Sequence, residues 1–271
     1  MIDTHCHLLP GLDDGPRERE ESLLLAERLE SVGVRRVVCT LFTERDRVAL
    51  SRWAGSTPVV RIPFGTELVS RPVPGGPQDG SLLFIGNFVH PPNVDAARRL
   101  IESIFPRIRQ RCPECELYIV GDQPPRDLVQ AAPQGVTFTG RLPEIDGYLG
   151  RATVFLAPVR TGAGMRVKVV EALAAGKAVV ASPLAAEGLA VTDGQELRVG
   201  PDDDSFVEAV IELLCDEPAR LALGHRAREW AEAQLDWKDI GQAYLRLYGE
   251  LLQADRSTMR RRDGHRRTAL K

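Results

Sequence analysis

The sequence is poor in two polar residue types and in long apolar segments. Only four of its 271 residues are lysines, although lysine and arginine together number 35, and only two are asparagines, Asn87 and Asn93. No apolar run approaches the roughly 20 residues that a membrane-spanning helix needs, and no signal peptide is recognisable at the start. The five cysteines have no framework spacing, which argues against a disulfide-stapled fold. We therefore expect a cytoplasmic protein, or one peripheral at the inner face of the membrane.

What remains is the composition of an ordinary globular protein. The chain is 43% apolar and 27% charged, with a formal net charge of −3. This length allows one large or two small domains. The arginine-rich composition is better explained by codon composition than by nucleic-acid binding, so no specific nucleic-acid partner is expected.

The first segment, MIDTHCHLLPGLDDGP, carries a pattern that is typical of the start of a metal site. Asp3, His5 and His7 occupy alternate positions. Alternation places the three side chains on one face of a strand. A predicted helix and a second predicted strand at 34–40 then complete a short β-α-β segment over residues 1–41.

Composition divides the rest of the chain into four parts: 42–70, a Pro/Gly-rich linker at 71–81, a regular domain at 82–253, and a basic tail at 254–271 that is predicted to be disordered. In the regular domain short apolar strands alternate with helices. The predicted strands are 82–86, 117–121, 136–140, 153–158, 178–182 and 196–199; the predicted helices are 93–111, 126–132, 145–149, 166–175, 205–215, 217–234 and 238–253. This alternation predicts an α/β fold with a Rossmann-like parallel sheet, whose ligands bind at the carboxyl ends of the strands.

The most informative stretch is PVRTGAGMRVKVVEALAAGKAVVAS, residues 158–182. It reads as strand, glycine loop, helix and strand, and the free N–H groups of a helix start favour a phosphate. The loop and the helix carry several groups suited to a nucleoside diphosphate: Gly162, Gly164, Arg160, Arg166 and Lys168 for the phosphates, and Glu171 for the ribose hydroxyls. The alternative is a glycine turn of the kind common in α/β folds, with solvated arginines.

The same stretch closely resembles the nucleotide-sugar site of family-four (group 1) glycosyltransferases, which have the two-lobed GT-B fold. LLFIGNFVHPPNVDAARRLIESIFPRIRQRCPECELYIVG resembles the opening of their C-terminal lobe, and FTGRLPEIDGYLGRATVFLAPVRTGAGMRVKVVEALAAGKAVVASPLAAEGL resembles their donor site. TERD (43–46) and IPFGTEL (62–68) are similar to the last pieces of their N-terminal lobe. The resemblance extends over about residues 42–252.

This resemblance implies a retaining transfer of sugar from a UDP- or GDP-linked nucleotide-sugar, with no further cofactor. It implies a set of donor-binding residues: Gly86, Asn87, Arg141, Leu142, Arg160, Gly162, Ala163, Gly164, Met165, Arg166, Lys168 and Glu171. Ala163 stands where many members carry a first glutamate, eight positions before Glu171. Only about 30 residues of an acceptor lobe are recognisable, so no catalytic residue is assigned. The acceptor would be lipid-linked or a glycan, as in surface-polysaccharide synthesis, and a partner chain would supply the missing lobe.

MIDTHCHLLPGLDDGPRERE resembles a second family, the PHP-type metal-dependent tyrosine phosphatases of capsule gene clusters. That resemblance covers residues 1–41 and implies that His5 and His7 are metal ligands. The family's second strand ends in Thr-Pro-His-His, whereas Leu41 and Phe42 stand here in place of a proline and a histidine. The predicted metal site is therefore incomplete and weak. Three functions stay open: a glycosyltransferase, a non-catalytic nucleotide-sugar-binding remnant, and, least favoured, a phosphatase.

Overall fold

A six-stranded parallel sheet forms the centre of the protein. The computed structural model describes residues 39–42, 44–52, 58–67, 73, 76–162 and 166–268. The six strands are β3 (Ser81–Ile85), β4 (Glu116–Val120), β5 (Val136–Gly140), β6 (Val154–Ala157), β7 (Ala178–Ala181) and β8 (Arg198–Val199). Their spatial order is β5-β4-β3-β6-β7-β8. Strands β4 and β5 therefore extend the sheet on one side of β3, whereas β6, β7 and β8 extend it on the other side. The crevice between β3 and β6, where the strand order reverses, is the place where open α/β sheets bind ligands.

The central strands are short apolar runs because helices cover both of their faces. VFLA of β6 and AVVA of β7 are fully buried, as parallel strands covered on both sides must be. The helices of this domain are α2 (Pro91–Arg99), α3 (Phe105–Arg111), α4 (Arg126–Gln130), α5 (Asp146–Arg151), α6 (Val167–Ala174), α7 (Pro183–Ala186), α8 (Asp203–Cys215) and α9 (Glu217–Leu235). Phe84, Phe105, Phe155 and Phe206 are the largest side chains of the core.

A second, two-stranded parallel sheet lies outside this domain. It consists of β1 (Cys39–Leu41) and β2 (Val59–Arg61), and α1 (Glu44–Ser51) connects them. The last helix, α10 (Trp237–Thr268), packs against the chain just after β2. Ile62, Ile240 and Leu247 form a small apolar cluster of their own at this contact. No helix among the described residues is both long enough and apolar enough to cross a membrane.

Two helices differ from the sequence predictions. The helix predicted at 93–111 begins at Pro91, and a π-helical segment, Leu100–Ile104, separates α2 from α3. Pro106 follows the segment and has no N–H, so it cannot continue the regular bonding pattern. The tail at 254–271, predicted to be disordered, is helical as far as Thr268. Arginine and methionine are good helix formers, and Gly264 is the weak position in that stretch.

Candidate functional site

The loops after β3 and β4 meet at the carboxyl-end edge of the sheet. Gly86 N donates to Val120 O over 2.9 Å, and Phe88 N donates to Asp122 O over 3.0 Å. A Cβ atom at Gly121 would lie 1.7 Å from Gly86 O. Glycine is therefore the residue that lets these two loops approach each other at backbone contact.

A compact turn follows Gly86. Asn87 Oδ1 accepts from Val89 N over 3.0 Å, and Asn93 Nδ2 donates to Asn87 O over 2.7 Å. Asn93 lies in the first turn of α2, so its side chain ties the start of this helix to the loop after β3.

The loop after β6 is fixed at its beginning and exposed at its middle. Ser182 Oγ donates to Val159 O, and Arg99 Nη1 donates to Pro158 O over 2.9 Å. Arg160 is exposed, as the phosphate-loop prediction requires. Ala163, Gly164 and Met165 lie outside the described residues.

Gly162 and Arg166 connect the two ends of the glycine loop. Gly162 has a φ of +104°, a conformation that favours glycine, and Arg166 Nη2 donates to its carbonyl oxygen over 2.9 Å. Arg166 is half-buried, and burial lowers its pKa. The two described ends of the loop are thus hydrogen-bonded to each other immediately before α6.

Lys168 is the most perturbed charged group of the site. Its Nζ donates to Asn93 Oδ1 over 2.6 Å and lies 4.5 Å from the centre of the Phe84 ring. Burial, together with the positive charge of Arg166, lowers the pKa of Lys168 to about 7. The carboxyl end of β3, where Gly86 and Asn87 lie, is therefore joined to the start of α6.

Glu171 follows Lys168 by one helical turn. Its carboxylate is half-buried, and burial raises its pKa, with a smaller contribution from the negative charge of Asp146. Leu142, after β5, is half-buried and packs against the main core, whereas Arg141 is exposed. A carboxylate with a raised pKa at this edge is suited to accept hydrogen bonds from ligand hydroxyl groups.

Sequence reasoning missed two residues that organise the site. Asn93 contacts two residues that the sequence did single out, Asn87 and Lys168. Arg99 is only 3% exposed, and its Nε lies 2.5 Å from Asp203 Oδ1 while its Nη1 holds Pro158 O. The rarity of asparagine was the one signal for Asn93, and no pattern in the sequence marked Arg99.

The predicted metal ligands His5 and His7 lie outside the described residues, as does Asp3. Within the part of the chain that the structure describes, no group of three or more histidine, cysteine, aspartate or glutamate side chains could hold a metal ion. The geometry therefore adds nothing to the metal hypothesis.

Comparison with known families supports two regions of different origin. A family model described as "Glycosyl transferases group 1" matches residues 79–216, about half of the chain. A second, "Capsular polysaccharide synthesis, CpsB/CapC", matches residues 1–54. The second match includes β1 and α1. The matches confirm both resemblances that the sequence predicted.

Curated relatives are longer than this chain. It is 30% identical over 221 residues to a phosphatidyl-myo-inositol mannosyltransferase of Mycolicibacterium smegmatis, covering 74% of this chain and 56% of the relative. It is 34% identical over 153 residues to a GDP-mannose-dependent alpha-(1-6)-phosphatidylinositol monomannoside mannosyltransferase of the same organism, covering 51% of this chain and 40% of the relative. The chain thus spans about half the length of these relatives.

Solved structures show the same fold. A sucrose-phosphate synthase from Thermosynechococcus elongatus superposes with a TM-score of 0.66 at 21% identity, covering 88% of this chain and 63% of the other. A pneumococcal O-GlcNAc transferase in complex with UDP and GlcNAc superposes with a TM-score of 0.64 at 17% identity, covering 84% and 47%. These likenesses confirm the predicted Rossmann-like sheet of a GT-B lobe.

Proposed function

Because the chain belongs to the group 1 glycosyl transferases, we propose that the carboxyl-end edge of its sheet binds a UDP- or GDP-linked sugar donor for glycosyl transfer. One observation carries this proposal: the Lys168 ammonium is held at the carboxyl end of β3, 2.6 Å from Asn93 Oδ1. A cation that is desolvated yet hydrogen-bonded at the start of a helix attracts a diphosphate strongly.

In this proposal different residues of the site contact different parts of the donor. Lys168 and Arg166, with the free N–H groups of α6, bind the diphosphate, and Glu171 accepts hydrogen bonds from the ribose. When the bond between sugar and phosphate breaks, negative charge grows on the departing diphosphate. Cations already in position stabilise that charge without rearranging. Gly86 and Asn87 face the donor from β3, and Arg141 and Leu142 border the base.

The acceptor half of the reaction is a separate part of the proposal. Both curated relatives are named as mannosyltransferases acting on phosphatidylinositol compounds, and the family model at residues 1–54 concerns capsular polysaccharide. We propose a retaining transfer to a lipid-linked or glycan acceptor for a surface polysaccharide, on the cytoplasmic face of the membrane. A partner chain that supplies an acceptor lobe is a further part of this proposal.

Calorimetric titration with UDP, GDP and their sugar derivatives tests donor binding. Lys168→Met should weaken binding by about 1.5–3 kcal/mol, roughly 10- to 150-fold, because it removes a hydrogen bond between charged groups. Lys177→Met is the matched control. Lys177 is also a buried lysine with a lowered pKa, of about 8, but its Nζ donates to Gly150 O over 2.6 Å at the opposite edge of the sheet. Absence of binding to the wild type at millimolar concentration would refute the proposal.

Glu171→Ala tests the assignment of the ribose contact. The variant should lose about 1.5–3 kcal/mol of affinity for a nucleoside diphosphate. It should keep its affinity for inorganic pyrophosphate, which has no ribose. Equal losses for both ligands would mean that Glu171 acts on the loop and not on the sugar.

The alternative function is a non-catalytic nucleotide-sugar-binding module, for which the matched region at residues 79–216, with its predicted donor-binding residues, would suffice. Donor hydrolysis and transfer to membrane lipid extracts distinguish the two. Binding without hydrolysis or transfer would support the module. Turnover that appears only when a second protein is added would support a shared acceptor lobe.

A further inference from the structure

Asn93 joins three parts of the site that come from distant stretches of the chain. Its Nδ2 donates to Asn87 O over 2.7 Å, and its Oδ1 accepts from Lys168 Nζ over 2.6 Å. Both halves of the amide are therefore used. The partners also fix its orientation, because an amide oxygen cannot donate to the Asn87 carbonyl and an amide nitrogen cannot accept from an ammonium group.

The space around the Asn93 side chain is closed on one side by Gly86. A Cβ atom at Gly86 would lie 2.9 Å from Asn93 Cγ and 3.0 Å from its Cβ. The backbone of Asn93 is held as well, since its N–H donates to His90 O over 3.0 Å. The amide is thus packed in place and not free to follow the lysine.

Few other interactions stabilise the protonated form of Lys168. It lies over the Phe84 ring, burial lowers its pKa to about 7, and Arg166 adds a like charge. An ammonium group in such surroundings is stabilised by an acceptor that takes one of its N–H groups. Asn93 Oδ1 is the acceptor that the structure gives it within the described residues.

Other titratable groups lie on the elements around Lys168. Arg166 precedes α6, Glu171 lies one turn later on it, and α2 carries Asp95, Arg98 and Arg99 with His90 just before its first residue. Strand β3 carries none. Of these groups, only Arg166 shifts the pKa of Lys168.

We propose that Asn93 is a positioning residue that holds the Lys168 ammonium, in its charged form, at the carboxyl end of β3 for the donor diphosphate. This inference rests on the proposed function, since the diphosphate is the ligand of that function. Without the amide oxygen the lysine would lose its proton at lower pH and would no longer be held at the carboxyl end of β3.

The first test needs no ligand. The chain contains only four lysines, Lys168, Lys177, Lys238 and Lys271, so ¹³C-labelled lysine gives four NMR signals that Lys168→Met assigns. Asn93→Ala should lower the pH at which Lys168 titrates, and Asn93→Asp, which supplies a negative acceptor, should raise it. The Lys177 signal should not move in either variant. If Asn93→Ala fails to fold, Asn93→Asp still decides, because it has nearly the shape of asparagine.

The second test measures donor affinity across pH. A sugar nucleotide is used because its diphosphate keeps a constant charge through the neutral range, and each Asn93 variant is compared with the wild type at every pH. For each unit by which the lysine pKa falls, Asn93→Ala should bind about tenfold more weakly above neutral pH and much less so below it. Asn93→Asp should keep its affinity to higher pH.

The outcomes separate this inference from the proposed function. An unchanged Lys168 titration in both Asn93 variants would overturn it. If the Lys168 titration shifts in the Asn93 variants but the wild type binds no sugar nucleotide, the proposed function is refuted, and with it the use of Lys168 for a diphosphate. Shifted titrations together with shifted affinity profiles support both.

Discussion

Two lysines flank α6 in similar surroundings but with different partners: Lys168 lies in its first turn, and Lys177 lies three residues after its end. Burial lowers the pKa of Lys168 to about 7 and that of Lys177 to about 8. Lys177, at the amino-end edge of the sheet, donates to the backbone oxygens of Gly150 and Ala152. Lys168, at the carboxyl-end edge, is held by one side-chain amide and an aromatic ring. A perturbed pKa alone therefore does not mark a functional lysine; the nature and place of its partners does.

The same contrast holds for the arginines that join α2 and α3 to α8. Arg99 lies toward the carboxyl-end edge, where it is buried and contacts Asp203 and Pro158 O. Arg111 lies at the other end of this helical stretch, where it pairs with Glu208 in solvent. Burial and contact with a site loop distinguish the first arginine from the second. Four predictions, ranked from the largest expected effect to the smallest, test whether the two edges differ as this comparison indicates.

The largest effect is expected from Gly121→Ala. A Cβ atom there would lie 1.7 Å from Gly86 O, so the loops after β3 and β4 must separate. We expect a loss of about 3–5 kcal/mol in the free energy of unfolding, measured by urea denaturation. Gly147→Ala is the control, because a Cβ atom there has no neighbour within 4 Å and alanine favours a helix.

At the amino-end edge Gly224 is the counterpart of Gly121. A Cβ atom at Gly224 would lie 2.4 Å from Gly176 O, where α9 crosses the turn after α6. Gly224→Ala should also destabilise the protein but should leave donor affinity unchanged in the folded fraction. A Gly121→Ala protein as stable as the wild type would contradict the close approach of the two loops.

The sheet was largely predictable, because its strands are local apolar patterns. β5 was predicted as 136–140 and found there, and β3 was predicted as 82–86 and found one residue earlier. The break between α2 and α3 was not predicted, because a proline inside an otherwise helical pattern leaves several local solutions. The helical end of α10 was missed because a high density of charge was interpreted as disorder.

The residues of the site were predictable only where a motif carried them. The stretch at 158–182 drew attention to Lys168 and Glu171, because loop, cation and carboxylate follow each other along the chain. Asn93 contacts a residue 75 positions away in the sequence, and Arg99 contacts one 59 positions away. Such contacts depend on how helices pack against the sheet, which local patterns do not specify.

The second effect in size is expected from Arg99→Met. The side chain is buried, and its loss leaves Asp203 and Pro158 O without this donor. We expect a loss of about 2–3 kcal/mol in stability, somewhat below the range for fully buried pairs, because Asp203 is 31% exposed. Donor affinity should fall too, since Pro158 begins the site loop. Arg107→Met, which removes an exposed pair with Asp204, is the control; equal losses in both variants would break the comparison.

The third prediction concerns the pH dependence of stability, in which the two lysines should behave alike. Both have folded-state pKa values below 10.5, the ordinary value for lysine, so the unfolded chain binds more protons between that value and about 7 or 8. Stability contributed by each group therefore rises as pH increases through this interval. In urea denaturation at a series of pH values, the stability of Lys168→Met and that of Lys177→Met should each rise less with pH than the stability of the wild type. A stability difference between wild type and variant that does not change with pH would contradict the lowered pKa of the lysine concerned.

The smallest effect is expected from Arg111→Ala. Arg111 Nη1 lies 2.6 Å from Glu208 Oε1, a shorter distance than many stabilising contacts, and this hydrogen bond raises the pKa of the arginine. Both side chains are exposed, however, so water and salt screen the attraction and the ordering of two long side chains opposes it.

We expect no measurable change in urea midpoint or donor affinity for Arg111→Ala at physiological salt. A double-mutant cycle with Glu208→Ala measures the coupling directly. Coupling that appears only at low salt would fit a screened surface pair. Coupling as large as that between Arg99 and Asp203 would mean that short distance, and not burial against the site loop, sets the strength of these pairs, and the distinction between the two edges would fail.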